Sequence, residues 1–566
     1  FTQSELDRQK RETLRAYERA FNERNNTNSV SYADEYVSNF LEGEAIPGIE
    51  HEYDLVQKLL PTITLEQLNA KAEQLLTPEN RAVFVQMPEK EGLEKPTEEA
   101  LAGVFDAIAG KTIEPYVEEI SDQPLIAEVP PPAAIVSEEE HADVGVREIE
   151  LANGVTVVMK PTDFKDDEVR FTAFSKGGAS LVSDEDYFDA TLASAIVTQS
   201  GVGPFDRTTL EKMLAGKVVS VTPSITDTRE GLSGMAAPAD LETLFQLIHL
   251  YFTAPRADSS ALAMLQNQYR AFLINRSADP EAAFEDSLQM ALYGKHPRNI
   301  IPTIPLVEDL SLRTVEKVYR ERFANAGDFT FVFVGNFEPD SLERLAQTYL
   351  GTLPSANGEE AWRDVYPDLA EGVVERTLYK GLGDRSQVTL VFTGDLEYNK
   401  ENRHRLRSLD EVLTILLREA LREDLGGTYG VGVGASPTDS PEERYTFTIS
   451  FSSDPDRADE LLGAVWATID SVKAFGPPAD DLEKVKEQQR RSRQTDLETN
   501  PFWVSVLDFY YSHENEPLSD VNAYLRMTEE LTVEEMQQAA RDFLREDSYV
   551  KVVLYPENYA SGASSN

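Results

Sequence analysis

The apolar positions of this chain switch between helical and strand spacing in an order that recurs. Its clearest marker is a hydrophobic turn running into a helix start. It reads LPTITLEQLNAKAEQLL from Leu60, VEDLSLRTVEKVYRERF from Val307 and TEELTVEEMQQAARDFL from Thr528. Thr64, Ser311 and Thr532 stand at the N-cap positions, and Gln67 and Glu535 complete capping boxes in the first and third copies. An apolar run of strand composition follows each: RAVFVQM from Arg81, FTFVFVG from Phe329 and YVKVVLY from Tyr549. Upstream of each marker, a charged stretch with helically spaced apolar residues predicts a long helix, near 4–24, 258–276 and 479–497. Helix, helix, capped helix and strand therefore occur three times.

The second and third copies share a further front portion. VREIELANGVTVVMKP (146–161) predicts two strands joined at an Asn153-Gly turn, and VRFTAFSKGG (169–178) a third. A helix at 185–199, strand-like VVSVTPSITD (218–227) and a helix at 240–253 follow. The later copy offers ERTLYK, SQVTLVFTG, a helix over 406–424, GTYGVGVGAS, RYTFTISFS and a helix near 457–474. A complete unit is thus an α+β layer, a mostly antiparallel sheet with helices on one face. The first copy has only the back portion, so the chain is expected to begin inside a domain. The expected divisions are a truncated repeat at 1–92, a Glu/Pro-rich connector at 93–144, full repeats at 145–361 and 362–558, and a disordered tail at 559–566. A short helix is expected within the connector, over Thr97–Ile108.

Little in the chain carries chemistry by itself. With no cysteines, thiol catalysis, disulfides and Cys-based zinc sites are excluded. The six histidines, His51, His141, His249, His296, His404 and His513, include no pair four residues apart, and Glu50-His51-Glu52 has Pro47 where a second ligand would stand. Neither a nucleophile elbow nor a phosphate loop is present. Gly430-Val-Gly-Val-Gly434 follows a helix and enters a strand, the reverse of a dinucleotide fingerprint. Alternating glycines leave one strand face bare, suited either to an incoming extended peptide or to tight internal packing. Arg422, in the last turn of the preceding helix, and Tyr429, expected to open the strand, bracket this element. A guanidinium and a phenol together can polarise a peptide carbonyl; separately, they can serve as a helix-dipole complement and a core aromatic.

Charge narrows the partners. One hundred acidic residues against 53 basic ones give a net charge of −47, and the acid is spread along the chain. Nucleic acid and anionic membrane surfaces are disfavoured, because each needs a basic footprint. The spread pattern suggests an acidic, solvated surface of the halophilic kind. No apolar run is long enough for a membrane span. The start at Phe1 without a leader pattern suggests a processed product or a fragment.

The repeat order, the connector and above all LREDLGGTYGVGV (421–433) resemble the pitrilysin (insulinase-type) zinc peptidases over nearly the whole chain. The resemblance implies four homologous α+β domains closing around unfolded peptides, with this chain as the end of the second domain plus the third and fourth. It implies that zinc is held by H-x-x-E-H in a first domain absent here, so that no cofactor is bound by this chain. The corresponding third-domain helix has Thr191, Ser194 and Ala195 at the motif positions. Arg422 and Tyr429 match the spacing of the pair that this family's fourth domain extends to the scissile carbonyl. Gly426, Gly427, Gly430 and Gly432 would then line the path of the peptide. The implied function is the substrate-binding half of a zinc endopeptidase, inactive without its N-terminal catalytic half. The alternative is a peptide-binding scaffold that has lost proteolysis. The sequence leaves the compartment open, with a periplasmic or cell-envelope location favoured.

Overall fold

A computed structural model describes residues 1–75, 81–87, 92–112, 123–356, 358, 360–513 and 516–562. It divides into two compact units, Phe1–Pro124 with Thr208–Val218, and Leu125–Arg207 with Val219–Asn566.

The first unit is helical among its described residues: α1 (Gln3–Asn22), α2 (Ser29–Glu42), α3 (Ile49–Leu59), α4 (Leu65–Leu75) and α5 (Glu98–Ala109). Thr64 and Gln67 exchange the two expected capping bonds before α4, at 3.2 and 2.9 Å. Thr97 caps α5, the short helix expected in the connector. Phe21 packs on Tyr53 to join α1 to α3. The strand expected at 81–87 is not formed, and Phe84 is 99% exposed. A strand exists only through a ladder, and no described segment of this unit offers one.

The second unit holds the two full repeats apart from Thr208–Val218, which carries the helix at Arg207–Leu214 beyond its first residue and belongs to the first unit. The earlier one runs β1 (Ile135–His141), β2 (Val146–Leu151), β3 (Thr156–Pro161), β4 (Val169–Lys176), α6 (Tyr187–Ser200), α7 (Arg207–Leu214), β5 (Val219–Ile225) and β6 (Arg229–Ala236). It continues through α8 (Leu241–Thr253), α9 (Ser259–Arg276), α10 (Pro280–Tyr293), α11 (Ile304–Glu308), α12 (Leu312–Arg322), β7 (Thr330–Gly335) and α13 (Pro339–Leu345). The later one runs β8 (Val373–Tyr379), β9 (Ser386–Asp395), α14 (Lys400–Arg418), β10 (Val431–Thr438), β11 (Arg444–Ser453) and α15 (Ala458–Phe475). It ends with α16 (Ala479–Asp496), α17 (Asn500–Ser512), α18 (Tyr524–Glu530), α19 (Val533–Phe543) and β12 (Tyr549–Tyr555).

Sheet order shows the repeat directly. The first sheet is β1-β2-β3-β7-β4-β6-β5 and the second, read in the same sense, β8-β12-β9-β11-β10. In each, one parallel pair (β3 with β7, β8 with β12) sits among antiparallel neighbours. The sheets differ by the β1–β2 extension, whose first strand lies inside the stretch expected to be connector. Residues 113–122 of that connector lie outside the described residues, as do 563–566 of the expected tail, whose described part ends in a short helix at Glu557–Gly562.

Each sheet carries helices of its own repeat on one face: Phe331 and Phe333 of β7 meet aromatic residues of α8 there. Val332 and Val334, on the opposite face, pack against Trp503 and Leu507 of α17, from the other repeat. Reciprocally, Phe284 and Ala291 of α10 pack on Val391, Val550 and Val552 of the second sheet. This exchange explains why β7 is a continuous apolar run rather than an alternating one.

Candidate substrate-binding site

Helix α14 does not end cleanly. Its last turn, Glu419–Asp424, widens into a π-helical segment, with Leu425 N–H reaching back to the Ala420 carbonyl at 3.3 Å. Leu421 is fully buried, which turns Arg422 outward. Arg422 is exposed and has no hydrogen bond or ion pair among the described residues. Gly426 reverses the chain at φ +58°, a conformation that favours glycine. At Gly427 a Cβ would stand 2.6 Å from Leu461, so glycine lets α15 approach this backbone. Arg457 of the same region donates to the Leu425 carbonyl at 3.2 Å and pairs with Glu460 at 2.8 Å. The end of α14 is thereby held in place.

Thr428 Oγ1 then bonds the Gly430 backbone on both sides, accepting from its N–H at 3.2 Å and donating to its carbonyl at 2.8 Å. Tyr429 projects from this small loop and is 79% exposed. It lies two residues before β10 rather than opening it, as its position beside the glycines suggested. The ladder registers from Val431 onward, after the loop that Thr428 holds. No contact joins Tyr429 to Arg422. Its ring is instead covered by the guanidinium of Arg385, 4.6 Å from the centroid. Nothing in the sequence pointed to Arg385, which is distant in sequence and approaches only because β9 lies next but one to β10.

Strand β10 is the edge of its sheet and pairs only with β11 among the described residues. Val431, Val433 and Ala435 pack into the core beneath α14. The glycines point the other way: a Cβ on Gly430 or Gly434 would meet nothing within 4 Å, while one on Gly432 would meet Ser450 Oγ at 2.9 Å. Their neighbours on β11 in that face are Ser450, Thr448 and Thr446. The result is a shallow polar shelf beside the last strand of the sheet, where the Asp410 carboxylate of α14 faces the Ala435 N–H. At its far end Asp439 lies 3.0 Å from His513 at the end of α17. The imidazole's pKa is raised: burial and the charge of Arg403 work against the cation, and the Asp439 carboxylate together with the Phe509 carbonyl more than offsets them.

The zinc-motif positions of the earlier repeat are on α6. Thr191 bonds the Phe188 carbonyl at 2.8 Å, Ser194 Oγ is buried without a partner, and Ala195 is exposed. None supplies an imidazole or carboxylate, so these residues do not fit a metal. The described residues hold no group of three or more His, Asp or Glu side chains that could bind a metal ion. No described helix is long and apolar enough to cross a membrane.

With this geometry in hand, residues 309–489 match the peptidase M16 inactive domain. Over 97% of its length the chain is 26% identical to a PQQL-like zinc protease of Arabidopsis thaliana, of which it spans 58%. The crystal structure of the periplasmic protease PqqL from Escherichia coli has the same fold over 98% of this chain and 61% of that one, with TM-score 0.69 and 21% identity. The ferredoxin protease FusC, in complex with Arabidopsis ferredoxin, matches 94% of this chain and 58% of its own, with TM-score 0.71 and 18% identity. The chain thus spans little more than half the length of these proteins.

Proposed function

Because the chain is a relative of the M16 zinc peptidases and contains their inactive domain, we propose that it is the substrate-holding, zinc-free half of a zinc-dependent endopeptidase. The observation that carries this reading is the edge strand β10, bare of side chains on one face, beside the exposed Tyr429 and the unpaired Arg422. A peptide laid along that edge gains main-chain hydrogen bonds without much sequence preference. Arg422 brings a fixed positive charge and several N–H donors, and Tyr429 one O–H. Directed at a peptide carbonyl, both interact more strongly with the negative charge that grows on its oxygen than with the neutral group, which lowers the barrier. Arg385, over the tyrosine ring, restrains where that hydroxyl can point.

No step is assigned to zinc within this chain, since Thr191, Ser194 and Ala195 offer it no donors; the metal belongs, in this reading, to an N-terminal catalytic half. A cell-envelope location is part of the reading, supported by the periplasmic description of the similar Escherichia coli protease. The test is kinetic. In the complete protein, with the catalytic half present, Tyr429→Phe lowers kcat about 10–1000-fold with KM little changed. Unchanged turnover would reduce Tyr429 to a surface aromatic. A complete protein without any peptidase activity would favour the scaffold alternative.

A further inference from the structure

In so acidic a chain, one cavity in the helical layer of the later repeat runs against the trend. It has a volume of about 350 Å³ and lies between α14, α16, α17 and α18. Lys400, Arg403, His404 and Arg407 reach it from one face of α14, spaced three and four apart, and Arg493 reaches it from α16. His404 is uncharged there at neutral pH, because burial pulls its pKa down to about 4. Three of the cations are matched by carboxylates: Lys400 by Asp520 at 2.8 Å, Arg403 by Glu516 through two N–H···O bonds, and Arg407 by Glu411 at 3.1 Å.

Arg493 is the exception. It is only 9% exposed, and its guanidinium lies between the rings of Phe502, at 4.6 Å, and Tyr524, at 5.0 Å. Nη2 donates to the Val521 carbonyl, and Nε and Nη1 have no acceptor among the described residues. No carboxylate there lies within ion-pair distance of it. Burial lowers its pKa, and the charge of Arg407 pushes the same way against Tyr524, Tyr510 and Asp496. A largely buried guanidinium with N–H donors to spare on a cavity wall is suited to receive an anion.

We propose that this cavity binds the C-terminal carboxylate of a peptide whose last residue is apolar. With Nη2 on the Val521 carbonyl, the guanidinium keeps charge-assisted N–H donors on Nε and Nη1 for a carboxylate. Val506, Phe509 and Met527 supply apolar wall for a side chain. The volume is at the low end of the roughly 300–1,000 Å³ of small-ligand sites, enough for a terminal residue. A free amino acid would bring its ammonium close to Arg493, the cation there without a carboxylate among the described residues, whereas a peptide terminus presents only a neutral amide and the carboxylate. The site does not depend on Arg422 or Tyr429.

Calorimetric titration of the chain with acetyl-Ala-Phe, with its C-terminal amide and with free phenylalanine tests the assignment. The acid should bind at least about tenfold more tightly than either of the others. Arg493→Gln should abolish the difference between acid and amide. Should that variant not fold, Ser505→Trp, at an exposed position on the cavity lining, should block the acid while leaving the thermal midpoint near that of the parent chain. Failure of the acid to bind, equal binding of acid and amide, binding of free phenylalanine as tight as the acid, or full acid binding by a folded Ser505→Trp would each overturn the proposal.

Discussion

Arg322 serves two carboxylates with one guanidinium. Its Nη1 lies 2.7 Å from Glu360 and 3.9 Å from Glu230. Glu230 is 2% exposed; its Oε2 accepts from Gly178 N–H at 2.6 Å, and its Oε1 is buried without a hydrogen-bond partner. Burial therefore outweighs the pull of Arg322 and pushes the Glu230 carboxyl from 4.5 up to about 8. The folded state keeps a proton that the unfolded chain releases near pH 4.5. The contribution of this group is full below that pH and is lost as pH rises toward 8. Glu230→Gln should change stability little near pH 5 and raise it by about 1–4 kcal/mol near pH 8. Denaturant unfolding at the two pH values checks this, and parallel pH profiles for variant and parent would sink it. None of this was legible in the sequence, where Glu230 is one acid among a hundred; its environment is made by segments far apart in the chain.

Elements were more legible than their partners. Local periodicity and caps located α9, α12, α16 and α19, and Asn153-Gly154 the β2–β3 hairpin, because those signals lie within a few residues of one another. RAVFVQM has the composition of a strand, but composition cannot supply a ladder, and residues 81–87 form no strand. The exchange of α10 and α17 between sheets was also invisible, since an apolar helix face does not say which sheet it will cover. Trp503 anchors that exchange: it is 7% exposed, packs on the second face of the first sheet, donates to the Leu497 carbonyl at 2.9 Å, and carries Lys160 over its ring at 3.9 Å. Trp503→Ala should cost about 3–5 kcal/mol of stability. It should also loosen α17 in hydrogen exchange before the rest of the later repeat. A loss below about 1 kcal/mol would mean that α17 adds little to holding the repeats together.

At the scale of the molecule, acidic self-repulsion works against the compact state. The net −47 cannot be neutralised internally. The Debye length falls from about 10 Å at 0.1 M salt to about 3 Å at 1 M, so salt should relieve that repulsion. The thermal midpoint should rise by several degrees or more between about 0.1 and 2 M KCl. A flat or falling midpoint would remove the halophilic reading and leave an ordinary acidic protein.

The sequence by itself determined the repeat, the α+β class, the bounds of most helices and strands, and the glycine alternation after Arg422, all of them properties of neighbouring residues. Tertiary structure alone decided that β10 is the last strand of its sheet, that Tyr429 stands in a loop beneath Arg385, and that Arg493 has no counter-ion among the described residues. Those features depend on which strand lies last in a sheet and which side chains meet across it. Such contacts are set by topology, and no local pattern encodes them.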